Sequence, residues 1–171
     1  MNGKHTSSDR LRQLVDWSSA VWAGLIGGIA FFLMCFFAVP LAAGGNGWVM
    51  VRLLASVPMG AGVLAPPATY DPAILIAALS VHLVLSIGFA MLAAFVLHRG
   101  GLWTGILGGA SLGLALYAIN FYTLTLFFPW FFGYRSFALV LTHMIFGAIC
   151  GGVYEGLEVE EFEPADFEDG P

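Results

Sequence analysis

Residues 71–99 read DPAILIAALSVHLVLSIGFAMLAAFVLHR, and this stretch decides the fold. Asp71 followed by Pro72 is a helix start, a carboxylate N-cap ahead of a proline at the first helical position. From about residue 73 to 97 no side chain is an acid, a lysine or an arginine. About 20 such residues at 1.5 Å rise each cross the hydrocarbon core of a bilayer. His98-Arg99-Gly100-Gly101 then makes a tight turn, and a second apolar run follows at once over 102–128, closed by Phe128-Pro129-Trp130.

Working outward, residues 135–154 form another span, and residues 17–43 form the first. Pro40 falls near the end of that first span, where the helix is finishing and a proline costs little. Trp17 and Trp22 are expected as interfacial anchors. Lys4, Arg10 and Arg12 precede an apolar run too long for a signal-peptide core of about 7 to 15 residues, so the segment reads as a signal anchor. The expected fold is all-α: a polytopic membrane protein, a four-transmembrane-helix bundle.

The segments around the spans complete the organisation. Residues 1–16 are an N-terminal segment, 17–154 the four-helix membrane domain, and 155–171 an acidic tail. The long connection 44–72 begins with a Gly-Gly-Asn-Gly break and continues as Trp48 to Ala55, with Arg52 one helical turn from Trp48. Pro58, Gly60, Gly62, Pro66 and Pro67 follow. This predicts a short interfacial helix between spans one and two and a turn-rich return, with interfacial and re-entrant placements both open.

The composition agrees. Of 171 residues, 59% are hydrophobic and 10% charged, against roughly half and a quarter in soluble domains. Eight of the 11 acids lie in the last 17 residues, so removing them turns the net charge of -5 into +3. Lys4, Arg10, Arg12 and Arg99 flank one side of the spans and Arg52 and Arg135 the other, which favours both termini on the cytoplasmic side. The tail reads as a solvated segment or a contact for a basic partner. Cys35 and Cys150 fall inside spans and read as free thiols.

Two sets of residues shape the expected interior. Gly24, Gly27 and Gly28, then Gly105, Gly109 and Gly113, then Gly147 and Gly151 lie toward the ends nearest the termini, and small residues at i,i+4 let helix backbones approach. Phenylalanines and tryptophans crowd the opposite ends, so the bundle should be tight on one side and wider on the other. Counting residues from the helix ends puts Cys35, His82, Asn120 and His143 all roughly 12 to 15 Å deep. Ser86 lies one turn from His82, and Met34 beside Cys35.

Polar groups at that depth are costly and are paired or functional. Three readings stay open. One is a hydrogen-bonded polar layer of Cys35, His82, Ser86, Asn120 and His143 that fixes helix register. Another is haem b held between His82 and His143. The last is a metal ion on His82, His143, Cys35 and Met34, soft enough for copper, or a proton relay. His98 at the turn and His5 near the N-terminus belong to the surface.

Among catalytic signatures, no P-loop, nucleophile elbow, H-E-x-x-H, C-x-x-C or intramembrane carboxylate pair occurs. Autonomous catalysis is not expected, nor is a nucleic-acid partner. Trp48, Arg52-Leu-Leu-Ala55, His82 with Ser86, Asn120-Phe-Tyr122, Phe128-Pro-Trp130 and His143 with Phe146-Gly147 resemble a family of small uncharacterised bacterial inner-membrane proteins. The resemblance covers Trp48 to Tyr154 and implies four helices without an assigned function. Some members carry a sodium:proline symporter label, which does not suit a chain lacking repeated helix sets and a broken-helix site. The expected role is an accessory or structural subunit of a larger membrane complex, such as a respiratory or redox assembly, in contact with lipid and other membrane subunits. The alternatives are the haem or metal protein and a small homo-oligomeric channel or transporter.

Overall fold

The computed structural model describes residues 11–159 and 161–164. Four helices are long and apolar enough to cross a membrane: Trp17–Ala43, Pro72–Leu97, Gly101–Leu126 and Phe137–Leu157. They are called the first to fourth spans below. The chain is an all-α four-helix bundle of a membrane protein, with a fifth helix, the cross helix Gly47–Met59, in the long connection.

Each start has a local cause. The Asp16 carboxylate accepts the Ser19 N–H, Asp71 accepts from Ala73 and Ile74, and Ser136 accepts from Leu139. Such caps satisfy N–H groups that have no partner inside the helix. The fourth span therefore begins two residues later than the pattern predicts, because Ser136 is extended and serves as the cap. The third ends at Leu126, short of Phe128, since a residue ahead of proline is steered out of the helical region.

Two spans are re-phased midway. Met34–Ala38 in the first and Ile119–Thr123 in the third wind as π-turns, each inserting a residue into the helical rhythm. Such turns rotate the face that follows and are common at functional sites.

The third and fourth spans pack along their length, and the first lies against the second and the fourth. The second and third, although consecutive, meet mainly near their joining turn, where Leu97 lies over Gly108. Backbone approach explains the tight contacts. A Cβ at Gly109 would collide with the Gly147 carbonyl, one at Gly113 with the His143 carbonyl, and one at Gly24 would sit 2.7 Å from Ile87 Cα. Gly105 and Gly151 meet in the same way, while Gly28 faces Ser86 Cβ and Gly27 faces Cys150 Sγ. Ala20, Ala23, Ala90, Ala93 and Ala94 fill the same half with Phe89, Phe146 and Tyr154.

The two ends of the described chain are tied together. Leu11–Gln13 pairs antiparallel with Phe162–Pro164, and the Leu14 N–H donates to the Glu161 carbonyl at 3.0 Å. Asp16 Oδ2 accepts the Val159 N–H, and the Asp16 N–H donates to the Tyr154 hydroxyl. The start of the acidic tail is thus paired with the N-terminal segment rather than freely solvated. His5, Lys4, Arg10 and the acids beyond Pro164 lie outside the described residues.

The connection 44–72 folds back over the bundle. Gly44 and Gly60 bracket the cross helix at φ 83° and 84°, conformations that favour glycine. The cross helix packs on the second span, with Val51, Leu53, Ala55 and Ser56 buried. Its polar side staples the return: the Arg52 guanidinium donates to the carbonyls of Val63 at 2.8 Å and Thr69 at 3.2 Å.

Candidate functional site: a cavity under the cross helix

Between the spans, on the side away from the termini, lies a cavity of about 490 Å³, within the 300–1,000 Å³ common for small-molecule sites. The cross helix roofs it with Met50, Val51, Leu53 and Leu54. The two π-turns supply Cys35 and Phe36 on one wall and Asn120 and Phe121 on another. His82, Ser86 and His143 complete the polar part of the lining, and no acid, lysine or arginine is among its residues. Backbone contact through glycine closes only the half nearer the termini.

The polar layer residues are brought to one cavity, and their hydrogen bonds define their protonation. The Gly28 carbonyl can only accept, so His82 Nε2, 2.8 Å away, carries a hydrogen. His143 has the opposite arrangement: Nδ1 donates to the Leu139 carbonyl at 2.7 Å, and Nε2 accepts from Asn120 Nδ2 at 3.3 Å. Ser86 Oγ lies 3.5 Å from His82 Nε2. His82 Nδ1 and Asn120 Oδ1 have no hydrogen-bond partner among the described residues.

Phe31 packs against both histidines. Its ring stacks on His82 with centroids 5.7 Å apart and meets His143 edge-on at 4.8 Å. A bis-histidine haem needs both imidazoles aimed at one iron from opposite faces. Here a phenyl ring packs against both imidazoles, and both Nε2 atoms are engaged by protein groups, so the residues present do not fit haem b. The metal set fares no better. Met34 lines a separate recess with Val39 and Thr142 rather than the cavity, and no three of His, Cys, Asp and Glu come together among the described residues.

Several contributors were invisible to pattern reading. Trp130 Nε1 donates at 2.8 Å to Ser56 Oγ, which in turn donates to the Leu53 carbonyl, fastening the cross helix to the connection between spans three and four. Gly88 lines the cavity, and a Cβ built on it meets nothing within 4 Å. With Leu85, Leu92 and Leu116 it marks a slot where the second and third spans diverge, and Leu85 and Leu92 are more than half exposed there. The cavity therefore opens sideways, toward lipid.

No protein-family model matches the chain, and neither does any curated protein or solved structure. The functional reading rests on geometry.

Proposed function

We propose that this is a membrane-embedded binding protein for a small lipophilic molecule that enters from the bilayer, working as a non-catalytic accessory subunit of a larger membrane assembly. The observation that carries it is the cavity: a mostly apolar lining with a few polar groups inside the membrane-spanning bundle, roofed by the cross helix and open through a lateral slot. Hydrogen-bonding groups at such depth are costly unless used, and a mostly apolar pocket with a few convergent polar groups is the usual form of a ligand site.

The four basic residues near the terminal side against two on the other support an orientation with both termini inside, and the resemblance to bacterial inner-membrane proteins supports that membrane. That orientation puts the roof at the outer face. Native mass spectrometry of the full chain in mild detergent tests the binding reading. A lipophilic mass retained one per chain, and lost in Gly88→Phe, is expected. Identical spectra for the native chain and the variant, with no such mass, refute it. Co-purification with fixed membrane partners is expected from the accessory role, and recovery of a particle holding only this chain refutes that part.

A further inference from the structure

We infer that the molecule taken by this cavity is a neutral, ring-headed isoprenoid lipid of the quinone class, with its ring among Phe31, Phe121 and Asn120 and its tail leaving through the Gly88 slot. This rests on the cavity being a ligand site and adds the chemistry of the ligand.

Charge decides first. With no acid, lysine or arginine in the lining, a phosphate, carboxylate or ammonium head would enter a low-dielectric space without a counter-ion, at a cost that excludes it. A phospholipid or an ionised fatty acid is thereby disfavoured with its charged head in the cavity.

Hydrogen-bonding capacity decides next. The Asn120 amide spends one N–H on His143 Nε2 and keeps a second N–H and its carbonyl. The Ser86 hydroxyl lies beside His82 on the second span, and His82 Nδ1 keeps its lone pair. A ring carbonyl can accept from Asn120 or Ser86, and in the reduced form a ring hydroxyl can donate to His82 Nδ1 or Asn120 Oδ1. The site thus offers both donors and acceptors to one neutral head.

Shape decides last. Phe31, Phe36, Phe121, Phe131 and Phe146 surround the polar groups, and flat π-faces pack against a flat ring in offset or edge-on geometry. An isoprenoid tail then follows Leu85, Leu92 and Leu116 out to the bilayer.

The test uses the full chain in mild detergent, with decylubiquinone as the quinone probe and dioleoylglycerol as an acyl lipid of equal neutrality. Decylubiquinone is expected to raise Tm in a saturable way, with affinity reduced at least about tenfold in Asn120→Leu. Should that variant lose its fold, Ser86→Ala removes one oxygen from the cavity lining and is expected to weaken binding about threefold. Saturable binding of dioleoylglycerol instead, untouched by either substitution, overturns the quinone assignment and leaves the cavity as a lipid site. Binding of neither probe, together with no retained mass sensitive to Gly88→Phe, overturns both readings.

Discussion

Replacing Gly109 by alanine isolates what holds the third and fourth spans together. In a helix interior, glycine to alanine ordinarily stabilises by about 0.5–1 kcal/mol, because alanine loses less backbone freedom on folding. At Gly109 the added methyl would lie well inside van der Waals distance of the Gly147 carbonyl oxygen, with the Gly151 backbone close behind. Neither neighbour is a side chain that can rotate away, so the two helices must part. Parting them also loosens the Gly105 to Gly151 and Gly113 to His143 approaches. Overpacking of this kind costs about 1–3 kcal/mol, and rigid backbone on both sides places the cost near the upper end. After subtraction of the propensity gain, Gly109→Ala should destabilise by about 2 kcal/mol. Gly88→Ala is the matched control, since its Cβ meets nothing within 4 Å, and it should be neutral or slightly stabilising. Reversible unfolding in mixed micelles, followed by circular dichroism, reads both. Equal stability of the two variants would refute the claim that backbone contact through glycine holds this interface.

Three further outcomes are expected. Trp130→Phe removes the hydrogen bond to Ser56 Oγ and should cost about 1 kcal/mol, with faster amide exchange confined to residues 47–59; unchanged exchange there would show that Trp130 does not fasten the cross helix. The purified chain should show no haem absorption, and EDTA should leave its Tm unchanged; a haem band would contradict the packing of Phe31 on both histidines, and a metal whose removal lowers Tm would contradict the dispersal of the candidate ligands. Asp16 loses solvation through burial, which raises its carboxyl pKa, but hydrogen bonds from Ser19, Val159 and Ser18 outweigh this and hold the group below the usual carboxylate range. Its stabilising contribution is therefore complete above about pH 4 and is lost as pH falls through the lowered value. Asp16→Asn should flatten the acid limb of a stability profile, and an unaltered limb would assign the acid loss to other groups.

The spans were legible because apolar length and caps are local: Asp71-Pro72 announces a start regardless of what the helix packs against. A shared level along the bundle was legible for the same reason, since residue counting from the ends needs only a constant rise per residue. It put Cys35, His82, Asn120 and His143 on one level, and all four line the cavity. What the pattern could not supply was rotation about each axis after a π-turn. Met34 and Cys35 are adjacent in sequence, yet the Met34–Ala38 turn sends them to different recesses. The haem reading meets Phe31, whose ring packs on both histidines, and the metal reading loses Met34 to a separate recess; residue spacing alone reports neither contact. The roof was missed in part. A Gly-Asn-Gly break and an amphipathic run predicted a helix, but its docking on the second span depends on Ser56 meeting Trp130, 74 residues away.

The pairing of Leu11–Gln13 with Phe162–Pro164 has a consequence for biosynthesis. The first span finds its packing surfaces on the second and the fourth, and the strand just before it finds its partner just beyond the fourth. A chain emerging from the ribosome in order must therefore hold its earliest segments incomplete until its latest ones are made. The final backbone pairing forms only on a molecule whose four helices have all been threaded, so it marks finished insertion. Truncation after the third span should leave a polypeptide that membrane quality-control proteases can distinguish from the mature protein by its unclasped N-terminal strand.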